Sequence, residues 1–285
     1  WCESQKALWV ASHSTRIVRR LEKDVFPKLG FRPISEITAP EVLAVARLIE
    51  SRDASDLARR VLQNCGQIFR YAVATGRAER DPTGDLRGAL KAKKVKNHAY
   101  LKESELPEYL AKLETYDGHP LTKLALRFLL LTFVRNGELR GATWEEIDFE
   151  KAEWRIPASR MKMKETHIVP LSTQAVAIVR ELHQHSGDRE HLFPNQHQPR
   201  KVMSENTLLY ALYRMGYHSR ATAHGFRSTA STILNENGFR PDVIERQLAH
   251  AERNNVRAAY NHAEHLPERR IMMQWWGDYT DTLKG

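Results

Sequence analysis

The spacing of apolar residues changes period once along this chain, and that interruption limits the folds open to it. Over residues 9–89 apolar side chains recur three and four apart, as in Ile17, Leu21 and Val25 and again in Val42, Val45, Ala46 and Ile49. That is the pattern of amphipathic helices. It returns over 103–115 and 121–134. Three short stretches follow, 144–149, 153–157 and 167–171, with β-branched and aromatic residues between charged turns. They read as a small three-stranded antiparallel sheet. Helices then resume. Ser172 is placed to cap a helix over 173–185 that stops before Gly187, and Ser204 to cap one over 205–215 before Gly216. A helix from about His224 closes at Gly238, and Pro241 fits the first turn of the next. The expected fold is mainly α with a small antiparallel β-sheet, an α+β arrangement.

A length of 285 residues suits two packed units. The stretch 91–98 follows the turn Asp81-Pro82-Thr83-Gly84, carries Lys91, Lys93, Lys94 and Lys96, and has no apolar face. It reads as an exposed basic linker at 91–99, between a helical domain at 1–90 and a mixed domain at 100–285. Charge follows the same division: residues 1–100 hold 19 Lys/Arg against 11 Asp/Glu, and residues 101–285 hold 25 against 24. A basic unit joined to a nearly neutral one suits a polyanion, and nucleic acid is the commonest such partner. Arg16, Arg19, Arg20 and Arg70 lie on helices of the basic domain and are candidate DNA contacts, with plain solvent exposure as the alternative.

The longest apolar run, 124–134, is interrupted by Arg127 and is too short to span a bilayer. Only Cys2 and Cys65 are present, and no charged-then-apolar leader opens the chain, so a disulfide scaffold and secretion are not expected. An intracellular, cytoplasmic protein is. The start at Trp1 rather than Met reads as a piece lacking its natural N-terminus.

Four separated segments carry chemistry. In Leu131-Thr132-Phe133-Val134-Arg135-Asn136-Gly137-Glu138, an apolar helix delivers an arginine beside a turn, with Glu138 in reach as its ion-pair partner. Met161-Lys162-Met163-Lys164 lies in the hairpin before Ile168-Val169-Pro170-Leu171. His224-Gly225-Phe226-Arg227 spaces an imidazole and a guanidinium i, i+3 on one helical face. Leu248-Ala249-His250 is followed ten residues after the histidine by Tyr260. Each alone has a structural reading: an ion pair, solvated lysines, half-buried aromatic packing. Four histidines at 183, 185, 191 and 197 match no standard zinc spacing. Met161, Met163, Met272 and Met273 read as packing residues.

Together and in this order the segments resemble the Arg…Lys…His-x-x-Arg…His…Tyr signature of tyrosine recombinases. Residues 131–148, 168–171, 224–227 and 248–276 resemble integrases of temperate phages, satellite phages and genomic islands, and 1–90 resembles that family's helical core-binding domain. The sequence departs from the family at Phe133-Val134, where small residues are common, and at Ala249, where glycine is.

The resemblance implies a site-specific DNA recombinase that integrates or excises a mobile element through a 3′-phosphotyrosine intermediate. Its catalytic residues would be Arg135, Lys162, His224, Arg227, His250 and the nucleophile Tyr260, with Glu138 supporting Arg135. Lys162 is favoured over Lys164 by counting back from Val169, although both would share a strand face if the hairpin were regular. The implied partners are double-stranded DNA attachment sites, a homo-tetramer in synapse, and a DNA-bending protein and excisionase; the implied setting is bacterial, on nucleoid DNA. An arm-binding domain upstream of Trp1 is expected to be absent from this chain. No Gly-rich phosphate loop or paired-carboxylate metal pattern is present, so no cofactor is expected. Trp275 and Trp276 suit either the intramolecular core or a contact with a neighbouring protomer. Two rival readings share the scaffold: a type IB topoisomerase-like relaxase, and a catalytically silent DNA-binding regulator.

Overall fold

The computed structural model describes residues 1–5, 7–91, 99–250 and 265–284. They fall into two compact units, Trp1–Lys96 and Asn97–Gly285. The first unit holds α1 (Cys2–Gln5), α2 (Ala11–Arg20), α3 (Phe26–Leu29), α4 (Ala39–Glu50) and α5 (Ser55–Ala74), with a single π-helical turn at Leu21–Val25 joining α2 to α3. Local chemistry sets these starts. At α4 the Glu41 carboxylate accepts the Thr38 backbone N–H at 2.9 Å, and Pro40 occupies the first turn. The apolar faces of these helices close one core around Ile17, Leu21, Val45, Ile49, Val61 and Phe69. Lys91 is bound to this unit, its N–H donating to Glu50 at 3.0 Å.

The second unit is organised around one helix. It begins with α6 (Leu106–Glu114) and α7 (Pro120–Thr132). Leu124, Ala125, Leu126, Phe128, Leu129, Leu130 and Leu131 of α7 are all buried, so the helix is apolar on nearly every face and lies inside the core. After it come α8 (Asn136–Arg140), β1 (Ile147–Asp148), β2 (Glu153–Ile156), β3 (His167–Pro170), α9 (Thr173–Ser186), α10 (Thr207–Arg214), α11 (Gly225–Glu236), α12 (Pro241–Gln247) and α13 (Leu266–Thr282). The sheet is antiparallel in the order β1-β2-β3, with Ile147 opposite Trp154 and Trp154 opposite Val169. It is the expected mainly-α fold with a small sheet.

Several local expectations are corrected. The strand at 144–149 shrinks to two residues, because the Trp144 N–H pairs with the Glu190 carbonyl at 3.2 Å and Trp144–Glu146 turns in a 3-10 helix. Ser172 caps α9 by accepting the Ala175 N–H at 3.2 Å, but Ser204 caps nothing. Residues 204–207 form a turn instead, and α10 starts from Asn206. Met163 is 49% exposed and is not a packing residue, unlike Met161, Met272 and Met273. Trp276 belongs to the core and donates its indole N–H to the Leu130 carbonyl at 2.9 Å, while Trp275 stacks on Tyr279. Among the described residues no helix is long and apolar enough to cross a membrane.

Candidate active site

The end of α7 places the first arginine, and it comes two residues sooner than the apolar run suggests. Phe133 adopts a left-handed conformation, φ +39°, which stops the helix at Thr132. Arg135 therefore precedes α8 rather than riding on α7. Glu138, buried in the first turn of α8, fixes both parts of it: the carboxylate accepts the Arg135 backbone N–H at 2.8 Å and its Nη1 at 2.7 Å. One carboxylate thus sets the main chain and the guanidinium together.

Arg227, in the first turn of α11, is 4% exposed. Its Nη1 donates to the Phe133 carbonyl at 2.8 Å and its Nη2 to the Leu248 carbonyl at 2.6 Å. These carbonyls stand at the C-terminal ends of α7 and α12, where backbone acceptors lack helical partners and the helix dipole is negative. Burial, followed by the charge of Arg135, pulls the Arg227 guanidinium down to about 10, so it stays charged at neutral pH. Among the described residues its buried Nε has no hydrogen-bond partner.

The stretch after α12 gathers the pieces. Leu248 accepts from Arg227, Ala249 accepts Arg135 Nη2 at 2.9 Å, and the His250 ring lies with Nε2 3.0 Å from Arg227 Nη2 and Nδ1 2.7 Å from Glu245. Ala249 has φ +48°, the region where glycine carries no steric penalty. Both departures from the family pattern thus include a left-handed position, Phe133 and Ala249, where a side chain costs about 1 kcal/mol or more. Gly225 answers a different demand. A Cβ there would meet the Ala99 carbonyl oxygen at 2.1 Å, so the chain crossing the start of α11 requires the glycine between His224 and Arg227.

Behind the site lies a buried polar network that the motif reading missed. His167 donates to the Gln247 carbonyl at 3.1 Å, and Gln247 Oε1 accepts Arg269 Nε at 3.1 Å and Nη2 at 2.7 Å. Arg269 also bonds the Ile168 carbonyl. The end of α12 is thereby tied to β3 and α13. Burial first, then Arg269, Arg246 and Arg135, hold the His167 imidazole down at about 3. Folded His167 is therefore neutral while the unfolded residue takes a proton below about 6.5. Stability drains as pH falls from 6.5 towards 3, by up to about 1.4 kcal/mol per unit. Denaturant titrations at pH 7 and pH 5 should show this loss, smaller in a His167→Gln variant. An equal loss in both would refute it.

The remaining expected residues are placed less centrally. His224 is exposed at the N-cap of α11. Lys162 and Lys164 are exposed in a turn, with Lys164 at φ +59°, so no regular strand alternation applies to them. Neither makes a described contact with Arg135, Arg227 or His250. In the first unit Arg16 and Arg19 are exposed on α2 and Arg20 is half-buried, while Arg70 on α5 is paired with Asp81 at 2.7 Å. Tyr260 lies outside the described residues, as does most of the basic linker.

Two family models cover most of the chain: the phage integrase central domain matches residues 1–89, and the phage integrase family model matches residues 99–266. The chain belongs to the phage integrase family of tyrosine recombinases. The integrase of Enterobacteria phage P4 is 46% identical over 297 residues, spanning 99% of this chain and 67% of that protein. Prophage integrase IntS of Escherichia coli K12 is 36% identical, spanning 99% of this chain and 73% of its own length. The fold matches a lambda integrase dimer bound to a COC′ core site, with TM-score 0.71 at 16% identity over 88% of this chain and 92% of that one. A lambda integrase tetramer bound to a Holliday junction matches at TM-score 0.71 and 16% identity, over 89% of this chain and 76% of the other. These matches lend no support to the relaxase or to the silent regulator.

Proposed function

We propose that this chain is a site-specific DNA recombinase that cuts and rejoins duplex DNA through a 3′-phosphotyrosine link to Tyr260, integrating or excising a mobile element. The observation that carries the proposal is the convergence of Arg135, Arg227 and His250 on the main chain at 248–250, ten residues ahead of Tyr260.

Attack on a phosphodiester needs its non-bridging oxygens neutralised, a nucleophile activated and a departing alkoxide protonated. Arg135 and Arg227 supply two planar forks of fixed charge for the phosphate. Glu138 and the carbonyls at helix ends hold those forks in place. His224 would assist deprotonation of Tyr260, Lys162 would protonate the leaving 5′-oxygen, and His250 would hydrogen-bond the phosphate. The link to Tyr260 replaces one phosphodiester by another, so the energy for rejoining is kept.

On this reading the partners are duplex attachment sites held by a homo-tetramer, with a DNA-bending protein and an excisionase acting on the same DNA in the cytoplasm. Arg16, Arg19, Arg20 and Arg70 would contact phosphates from the first unit, with Arg70 already paired with Asp81.

The test is covalent trapping on nicked attachment-site DNA from the host junction of the element, in buffer containing EDTA. A protein–DNA adduct that survives denaturant and carries the protein on a 3′ end is expected. No adduct would leave only a DNA-binding protein. Relaxation of supercoiled DNA lacking any attachment site would favour the relaxase.

A further inference from the structure

We infer that Glu245 is a positioning residue for this reaction, setting the tautomer of His250 and balancing the charge that ring takes on when it hydrogen-bonds the scissile phosphate. The inference rests on the role given to His250 above. A guanidinium only donates, so with Arg227 Nη2 at 3.0 Å the His250 Nε2 must be the bare, accepting nitrogen. The ring proton then sits on Nδ1 and is donated to Glu245 Oε2 at 2.7 Å. Carboxylate, imidazole and guanidinium form one line from the surface of α12 to the buried arginine.

The line has a direction that suits phosphate binding. Arg227 keeps the proton off Nε2 only while the ring faces it, and the Nδ1–H bond to Glu245 is what holds the ring in that orientation. A phosphate oxygen accepts but does not donate, so His250 can bond it through Nε2 only after taking a second proton. Glu245, already on Nδ1, is the counter-charge for that imidazolium. Around Arg227 the charge of Arg135 is opposed by two carboxylates, Glu138 and Glu245, so Glu245 faces both the ring and the guanidinium beyond it. Glu245 is half exposed on the surface of α12, so its replacement is expected to leave the fold intact.

The proposal is tested by nitrogen NMR of histidine-labelled protein without DNA, with the His250 signals assigned by their loss in His250→Asn. The Nδ1–H form is expected. Glu245→Gln, whose amide oxygen still accepts from Nδ1–H, should keep it, and Glu245→Ala, which frees the ring to turn away from Arg227, should show a mixture of both tautomers. A wild-type ring protonated on Nε2, or an Nδ1–H form unchanged in Glu245→Ala, would overturn the assignment. The functional half is read from adduct formation on nicked site DNA. Glu245→Gln should slow it about 10-fold or more, the scale seen when carboxylate partners of metal-bound histidines are replaced, and should slow it no further in a His250→Ala background. Equal slowing in both backgrounds would show that Glu245 does not work through His250. Absence of any wild-type adduct would sink the recombinase function; the role of Glu245 falls separately, if wild type reacts and Glu245→Gln matches it.

Discussion

Tyr260→Phe is expected to abolish the covalent adduct on nicked attachment-site DNA while leaving folding and DNA affinity as they are. The change removes one oxygen, and that oxygen is the proposed nucleophile. Most of the other tyrosines are held in structural roles. Tyr109 and Tyr217 are buried in the core, where burial pushes Tyr217 up to about 12 and Tyr109 further still. Tyr279 is raised by burial and by its bond to Glu103, and Tyr116 is buried against Arg214. A phenol held protonated is a poor nucleophile. Tyr71 sits on α5 of the first unit, and Tyr210 and Tyr213 lean on each other on α10. Denaturing gels of wild type and variant, with binding measured in parallel, decide the matter. An adduct of wild-type yield in the Phe variant would move the nucleophile elsewhere, with Tyr100, whose backbone crosses Gly225, the next to replace.

The motif residues were legible because their order and spacing are unusual, whereas the groups that hold them were not, because a buried polar side chain looks like a solvated one in sequence. Periodicity nevertheless marks three of them. Strand alternation puts His167 on the side of Val169, which is wholly buried. Helical spacing puts Gln247 on the face of Val243 and Ile244, and Arg269 on the face of Met272, Met273 and Trp276. Polar residues at core positions of three different elements were a signal that those elements meet through hydrogen bonds. Glu245 offered no such sign, since it lies on the outer face of α12 and its meaning depends on where the chain turns after Leu248. The end of α7 is hidden for a similar reason. The apolar run continues through Phe133 and Val134, and only the left-handed Phe133 shows that the helix has already ended.

Arg227 is where stability and chemistry are expected to separate most clearly. Its guanidinium spans two helix ends, bonding the Phe133 and Leu248 carbonyls with different nitrogens. A lysine keeps the charge but offers one ammonium, which cannot reproduce a fork held between two fixed acceptors. Arg227→Lys should therefore slow adduct formation by about 100-fold to 1,000-fold, the usual cost of losing a preorganised donor to developing negative charge. Stability should fall less, by about 1–3 kcal/mol, because one carbonyl is left without its donor. Part of that loss is offset, since a more flexible cation relaxes the repulsion from Arg135 that Arg227 now bears. Arg227→Ala orphans both carbonyls, leaves a cavity and takes a cation away from Glu138 and Glu245, so it should be less stable than Arg227→Lys and at least as slow. Single-turnover trapping and chemical denaturation on the same preparations measure the two effects. A lysine variant that reacts at the wild-type rate would mean that Arg227 is a brace between α7 and α12 and nothing more, and the phosphate would then have to be held by Arg135 and residues beyond this site.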